Sequence, residues 1–418
     1  MKRLFNIATT VEDNISYWHL AIFLAMLPFD FFYSQLVLVS FAAHTLIHLR
    51  TQRLRLLLTK PVWVVMAVYL LALVGMLYSK DKTAAWDLAG RQSAILIWPI
   101  LLTLTNFPLA QYTGRLLRFF AVICVATILY LYIDAFRIIA FYHLPLQRIV
   151  SQAFMNHQFS LPIGIHATYI SLYAALSFVV LLHGLLNASG KLQRVLYLIG
   201  LGILAAGLLQ LSSRAVCIAL LVIVNTVFPW MALKGKKRWW FLTISLLITL
   251  AAGLFINNTA AFKTRYFTEL KQDVSNRDKV DYDVTEPRVE RWKLAWQLVQ
   301  QKPLIGHGSG SELRLLKDAY FEHKLYSSYL NEFNAHSQYL SFLIKTGVLG
   351  LLIYLAVLGY CTWIAICRKQ LFFFSFLLLI IIVSVGENIL DVNKGIFFYA
   401  FFMSLFLLPQ AKPIEATQ

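Results

Sequence analysis

The stretch from Thr285 to Gly350 decides how the rest of the chain is read. It opens TEPRVERWKLAWQLVQQKPLIGHGSG (285–310), passes through a polar helix-like segment, and closes NEFNAHSQYLSFLIKTGVLG (331–350). Thr285 is placed to cap a helix, with Pro287 in the first turn, where a missing N–H costs little. Val289, Trp292, Trp296 and Val299 recur at helical spacing and predict an apolar stripe. Pro303 ends that helix, and Gly306, Gly308 and Gly310 predict a flexible turn. This glycine run does not follow a strand and open a helix, so it is neither a dinucleotide fingerprint nor a P-loop. A second amphipathic helix is expected over about Ser311 to Tyr326, and Asn334 can cap a third starting near Ala335. From there the apolar pattern reaches Cys367, roughly 50 Å at 1.5 Å per residue and more than a bilayer needs. Residues 335–345 are therefore expected at the outer membrane interface, with a kink at Thr346–Gly347 before the span proper.

Around this insert the chain is apolar. Its 418 residues are 59% hydrophobic and 14% charged, with mean hydropathy +0.67, which excludes an ordinary soluble domain. Spans are expected near 16–30, 33–49, 62–79, 92–106, 116–139, 166–187, 195–211, 215–233, 239–256, 346–367, 371–386 and 393–409, about twelve in all. The fold class is thus an all-α integral membrane protein with one large helical loop. Residues 1–256 form an N-terminal bundle of about nine helices. The loop subdomain is 257–335, with two amphipathic helices; 336–410 returns to the membrane, and 411–418 is a tail. The first apolar run is full length and lacks a small-residue cleavage site, so no cleaved signal peptide is expected. Cys124, Cys217, Cys361 and Cys367 lie in or at the ends of apolar runs and read as packing residues.

The net charge of +17 invites a nucleic-acid reading, and its placement argues against one. Arg50, Arg53, Arg55, Arg115, Arg118, Lys191, Arg194, Lys236, Lys237, Arg368 and Lys369 fall in alternate loops. This is the positive-inside pattern, with both termini cytoplasmic and membrane lipids as neighbours. The same topology puts 257–335 outside, where Glu269, Asp273, Asp278, Asp281 and Asp283 nearly balance its basic residues.

Candidate chemistry gathers on that outer side. As an early helical residue, His336 would meet the positive end of the helix dipole, which favours a neutral imidazole able to take a proton from a hydroxyl. The alternative is an interfacial histidine bonded to a loop. Arg288 and Arg291 are three apart, so one helix face could present both. Arg214 follows Ser212–Ser213 in a very short loop with no acid nearby in sequence. Arg137 and Arg148 flank another outer loop, and Arg265 precedes the acidic stretch. Outer arginines run against the positive-inside bias, and their guanidinium forks suit phosphate; salt bridges to loop acids or lipid headgroups are the alternative. Glu387, Asn388 and Asp391 cluster after the eleventh span, as partners for Lys394 or an outer arginine, or as part of a site. No HExxH pair occurs, so no metal site is expected.

Arg288-x-x-x-Trp292-x-x-Ala295, followed by Lys302-Pro303-Leu304-x-Gly306-x-Gly308, resembles the signature of the O-antigen ligase and polymerase superfamily. So does Ala335-His336-Ser337-Gln338-Tyr339-Leu340, followed by Lys345-Thr346-Gly347-x-x-Gly350. The usual family form is close to HNxYL; Ser337-Gln338 departs from it, while His336, Tyr339 and Leu340 stay in register. The detailed match covers about 285–360, and the remainder agrees in architecture. The resemblance implies a GT-C-like glycosyltransferase of the bacterial inner membrane, without metal or cofactor. Its donor would be an undecaprenyl-diphosphate-linked glycan, its site would face the periplasm, and the ligase branch would use lipid A–core as acceptor. By position, His336 would activate the acceptor hydroxyl. Arg214 and Arg288 would bind the diphosphate and stabilise it as it leaves, and a single displacement would invert the anomeric carbon. Arg265, Arg291, Arg148, Arg137, Glu387 and Tyr339 are further candidates. Within the superfamily the alternatives are an O-antigen polymerase and a protein O-oligosaccharyltransferase. A transporter is disfavoured, because the polar candidates sit at the outer edge and no repeat is evident.

Overall fold

Apolar segments in lipid must satisfy their own backbone groups, and these do so as helices. The computed structural model describes residues 7, 8, 10–274 and 286–408, and no strand occurs among the described residues. The helices are α1 (Val11–Met26), α2 (Phe31–Ile47), α3 (Lys60–Tyr78), α4 (Lys82–Leu104), α5 (Leu109–Phe141), α6 (Ala167–Leu186), α7 (Lys191–Leu211), α8 (Arg214–Ala232) and α9 (Gly235–Asn258). They continue with the short α10 (Glu269–Val274), α11 (Arg288–Gln301), α12 (Glu312–Glu322), α13 (Tyr326–Leu330), α14 (Gln338–Cys367), α15 (Leu371–Val383) and α16 (Asn393–Leu407). Seven of these, α3, α5, α6, α7, α8, α9 and α14, are long and apolar enough to cross a membrane; α2, α15 and α16 are apolar but shorter. This is a multi-pass helical membrane protein. The expected cap at Thr285, the acids at Asp278, Asp281 and Asp283, and the tail 411–418 lie outside the described residues.

The helix α16 is the axis of the bundle. It is apolar on every side, and Lys394 to Leu407 are all buried, as a helix enclosed by others must be. Phe23 of α1, Trp98 of α4 and Phe401 of α16 interlock, with ring centroids 4.4 Å and 4.8 Å apart at Trp98. On the periphery, α9 buries only Ser245.

The insert departs from its sequence reading in four places. Pro287 stands outside α11 as its cap residue, and the helix starts at Arg288. The buried face is Arg291, Leu294, Ala295, Leu298 and Val299, while Trp296 is exposed and Trp292 half-buried. Hydrophobicity alone favoured the tryptophans, but small and aliphatic side chains let α11 close on α12 and α14. The second helix stops at Glu322 because Lys324 turns left-handed (φ 59°), and α13 is separate. The third starts at Gln338 under a Ser337 cap, so His336 is not helical. Ser341 to Gly347 are buried within the protein.

The glycine turn is a locked seam. Gly347 (φ 64°, ψ −166°) breaks α14 where a kink was expected. The break frees the Ile344 and Lys345 carbonyls, which accept from the backbone N–H of His307 (2.7 Å) and Gly308 (2.9 Å). In return, Val348 and Leu349 N–H donate to the Pro303 and Leu304 carbonyls at 2.8 Å and 3.2 Å. Ser309 N–H donates to Gly75 O of α3 at 3.1 Å. Gly306, Gly308 and Gly310 are all left-handed (φ 68°, 98° and 77°), and a Cβ on Gly308 would lie 2.4 Å from Ser79 Cα. These glycines are there for close backbone approach and not for flexibility.

Candidate active site

Five segments meet at one end of the bundle: the start of α8, α10, the start of α11, the approach to α14, and the link between α15 and α16. Ser212 (φ 46°) turns the chain sharply from α7 and puts Arg214 first in α8. Arg214 Nη2 donates to Asp273 Oδ2 in an ion pair. The same oxygen lies 3.8 Å from Arg288 Nε. Arg288 Nη1 donates to Gly386 O at 3.0 Å, and its Nη2 is 3.9 Å from Glu387 Oε1. Glu387 Oε2 lies 3.7 Å from His336 Nδ1, an ion-pair distance too long for a hydrogen bond. A continuous line of ionisable side chains therefore runs Arg214–Asp273–Arg288–Glu387–His336. All five side chains keep some exposed surface. Arg214 Nη1 and His336 Nδ1 are buried without a hydrogen-bond partner, and such atoms mark where a ligand can supply the missing bond.

The first turn of α6 and the segment before it add to this end. Thr168 Oγ1 donates to Glu387 Oε1 at 3.5 Å. The His157 and His166 rings are in contact at a tilt of 53°, with centroids 3.9 Å apart. Each keeps an exposed edge, yet burial dominates and lowers both from the usual histidine range. His166 and then Arg265 reinforce this at His157, which falls to about 4.

Glu387 is the strongly perturbed carboxyl here. Burial opposes its ionisation, but His336, His166 and Arg288 outweigh burial and hold it at about 2 against an ordinary 4.5. Its contribution to stability is therefore full above about pH 4.5 and is lost as pH falls through about 2. Glu387→Gln should lower the thermal midpoint at pH 7, and its gap from the parent protein should close between pH 4.5 and pH 2. Melting curves of the two proteins across that range check this; a gap independent of pH would contradict the assignment.

Arg265 pairs with Glu269 beside the two histidines. Arg291 is buried with its guanidinium over the Phe333 ring at 4.9 Å, so the helix does not present it alongside Arg288. Arg137 and Arg148 are exposed and contact none of the cluster. Tyr339 donates its hydroxyl to Ile381 O at 2.8 Å and has a packing role. Lys394 is not a partner of Glu387; it donates to Leu27 O and Phe29 O. Sequence reasoning missed Asp273 as the acid of Arg214, because 59 residues separate them. It also passed over His157, His166 and Glu312, which carry no local pattern.

Residues 166–355 match the family model described as O-antigen ligase, an interval holding Arg214, Arg265, Asp273, Arg288, Glu312 and His336. No curated protein matches the chain.

Proposed function

We propose, from its membership of the O-antigen ligase superfamily, that this chain transfers a glycan from undecaprenyl diphosphate to the outer-core sugar of lipid A–core. In this reading the chain crosses the bacterial inner membrane twelve times, with both termini cytoplasmic and the Arg214–His336 cluster facing the periplasm. The observation that carries the proposal is Asp273: one carboxylate oxygen lies between Arg214 and Arg288, a position that suits a donor phosphate oxygen. Both lipid-anchored substrates would meet at the membrane–water boundary.

The chemistry follows from the charges. The acceptor hydroxyl oxygen attacks the anomeric carbon, and the bond from that carbon to the diphosphate breaks on the opposite face, inverting the centre. The hydroxyl proton passes to the His336 imidazole, and Glu387 stabilises the imidazolium from 3.7 Å. Arg214 and Arg288 neutralise the charge that grows on undecaprenyl diphosphate as it departs. With two guanidinium groups beside the leaving group, the role of a divalent cation is supplied by side chains.

Purified protein reconstituted with lipid-linked glycan and lipid A–core should yield a joined product in the presence of chelator. Chain extension of the donor with no product on lipid A–core would assign the polymerase reaction instead; glycan on a serine or threonine of an added protein would assign the protein transferase. Asp273 competes with the donor in this scheme. Asp273→Asn should lower the donor KM about fivefold, the equivalent of about 1 kcal/mol for a partly exposed ion pair, with kcat little changed. A raised KM would mean that Asp273 organises the arginines and does not stand in for phosphate.

A further inference from the structure

We infer that Glu312 is a positioning residue that holds His336 in its working backbone conformation. The inference rests on the proposed role of His336 and goes beyond it by naming what sets that side chain. His336 has φ 44°, a left-handed conformation strained for any residue with a Cβ. Such a residue persists only where its surroundings over-determine it, and three successive peptide N–H groups are tied down here. Ala335 N–H donates to Glu312 Oε1 at 3.0 Å, His336 N–H to Asn334 Oδ1 at 2.9 Å, and Ser337 N–H to Asn388 Oδ1 at 2.8 Å.

The outer two of these acceptors belong to one buried network centred on Glu312, the first residue of α12. Its Oε1 also accepts from Asn388 Nδ2 at 3.0 Å, so a single oxygen links the residues before and after His336. Its Oε2 accepts from Ser341 Oγ and lies 3.1 Å from Lys345 Nζ. Asp391 completes the ring, with both oxygens 2.7 Å from Lys345 Nζ and Oδ2 accepting from Asn388 Nδ2 at 2.8 Å. Every carboxylate oxygen of the pair is occupied. A satisfied buried network of this kind rigidifies what it holds, and what it holds is the peptide on each side of one histidine. No part of the network touches the imidazole, so Glu312 acts through the backbone.

An amide at position 312 cannot serve the network. The Ser341 hydroxyl can turn to Asp391 Oδ2 at 3.2 Å, but Glu312→Gln sets an NH2 against the Lys345 ammonium at the 3.1 Å contact, two donors face to face, so the side chain must turn and release Ala335 N–H. The His336 backbone is then free to relax to negative φ and carry the ring away from Glu387. Two measurements on the full chain test this. The first is carbethoxylation of individual histidines by diethyl pyrocarbonate, read by peptide mass spectrometry, which needs no substrate. In folded Glu312→Gln the rate at His336 should change at least fivefold, with His307 and His323 as internal standards that do not move. The second is transfer kinetics, where kcat should fall on the order of 10²-fold with donor KM unchanged. Unchanged His336 labelling in folded Glu312→Gln overturns the inference. Absence of transfer in the parent protein would instead strike the proposed reaction, while the labelling result still decides Glu312. If Glu312→Gln fails to fold, Asn388→Ala releases Ser337 N–H and removes the amide donor to Glu312 and Asp391, while the carboxylate that holds Ala335 N–H remains, and it should shift His336 labelling in the same way; no shift there counts against the network.

Discussion

His336→Ala should reduce kcat by about 10²–10⁴-fold, the usual range for a lost general base, while the lipid-linked donor binds with unchanged Kd. The expectation comes from where the ring sits. Its Nδ1 faces Glu387 at 3.7 Å, and the ring packs edge-on to Phe333 with centroids 5.5 Å apart. The imidazole makes no hydrogen bond that holds two parts of the fold together, so its removal leaves the arginine side of the cluster intact. Donor binding by fluorescence or calorimetry, alongside single-turnover transfer, separates the two effects. Near-normal turnover would remove His336 as the base and leave leaving-group stabilisation as the main source of rate.

Arg288→Ala should lower kcat/KM by about 10²–10³-fold, comparable to losing one donor in an oxyanion site, and more than Arg214→Ala does. Arg288 is the only member of the cluster that faces both Asp273 and Glu387, so it joins the proposed phosphate side to the proposed base side. In the proposed reaction, truncation removes a donor to the departing diphosphate, and it also removes one of the cations that keeps Glu387 ionised. Arg288→Lys should recover little. A single ammonium cannot bond Gly386 O through one nitrogen and present another to Asp273 or a phosphate. Steady-state kinetics with varied donor concentration tests this; parent-like kinetics in both alanine variants would eliminate the phosphate clamp.

What the sequence revealed and what it hid divide along a physical line. The apolar runs were legible because a helix in lipid must be long and apolar by itself, whatever it packs against. The break at Gly347 was legible from a Thr-Gly pair inside an apolar helix. Local pattern and family resemblance made His336 and Arg288 candidates, but their surroundings were not legible. Asp273 meets Arg214 across 59 residues, and Glu312 reaches Ala335, Ser341, Lys345 and Asn388 only after α12 folds onto α14. The buried face of α11 was misread for a related reason. Its tryptophans dominate any hydrophobicity count, yet Leu294, Ala295 and Leu298 fit the space against neighbouring helices.

The seam between the glycine turn and the broken helix bears on how topology would be mapped in cells. Residues 302–310 join two helices, and cysteine-scanning logic treats such links as open to membrane-impermeant reagents. Here Lys302 is exposed and Ser309 is buried, its hydroxyl bonded to Ala72 O at 2.6 Å. A maleimide should label Lys302→Cys readily and Ser309→Cys only after denaturation. Read without the seam, that pair of results would put two positions seven residues apart on opposite sides of the bilayer, and would add a crossing that the chain does not make.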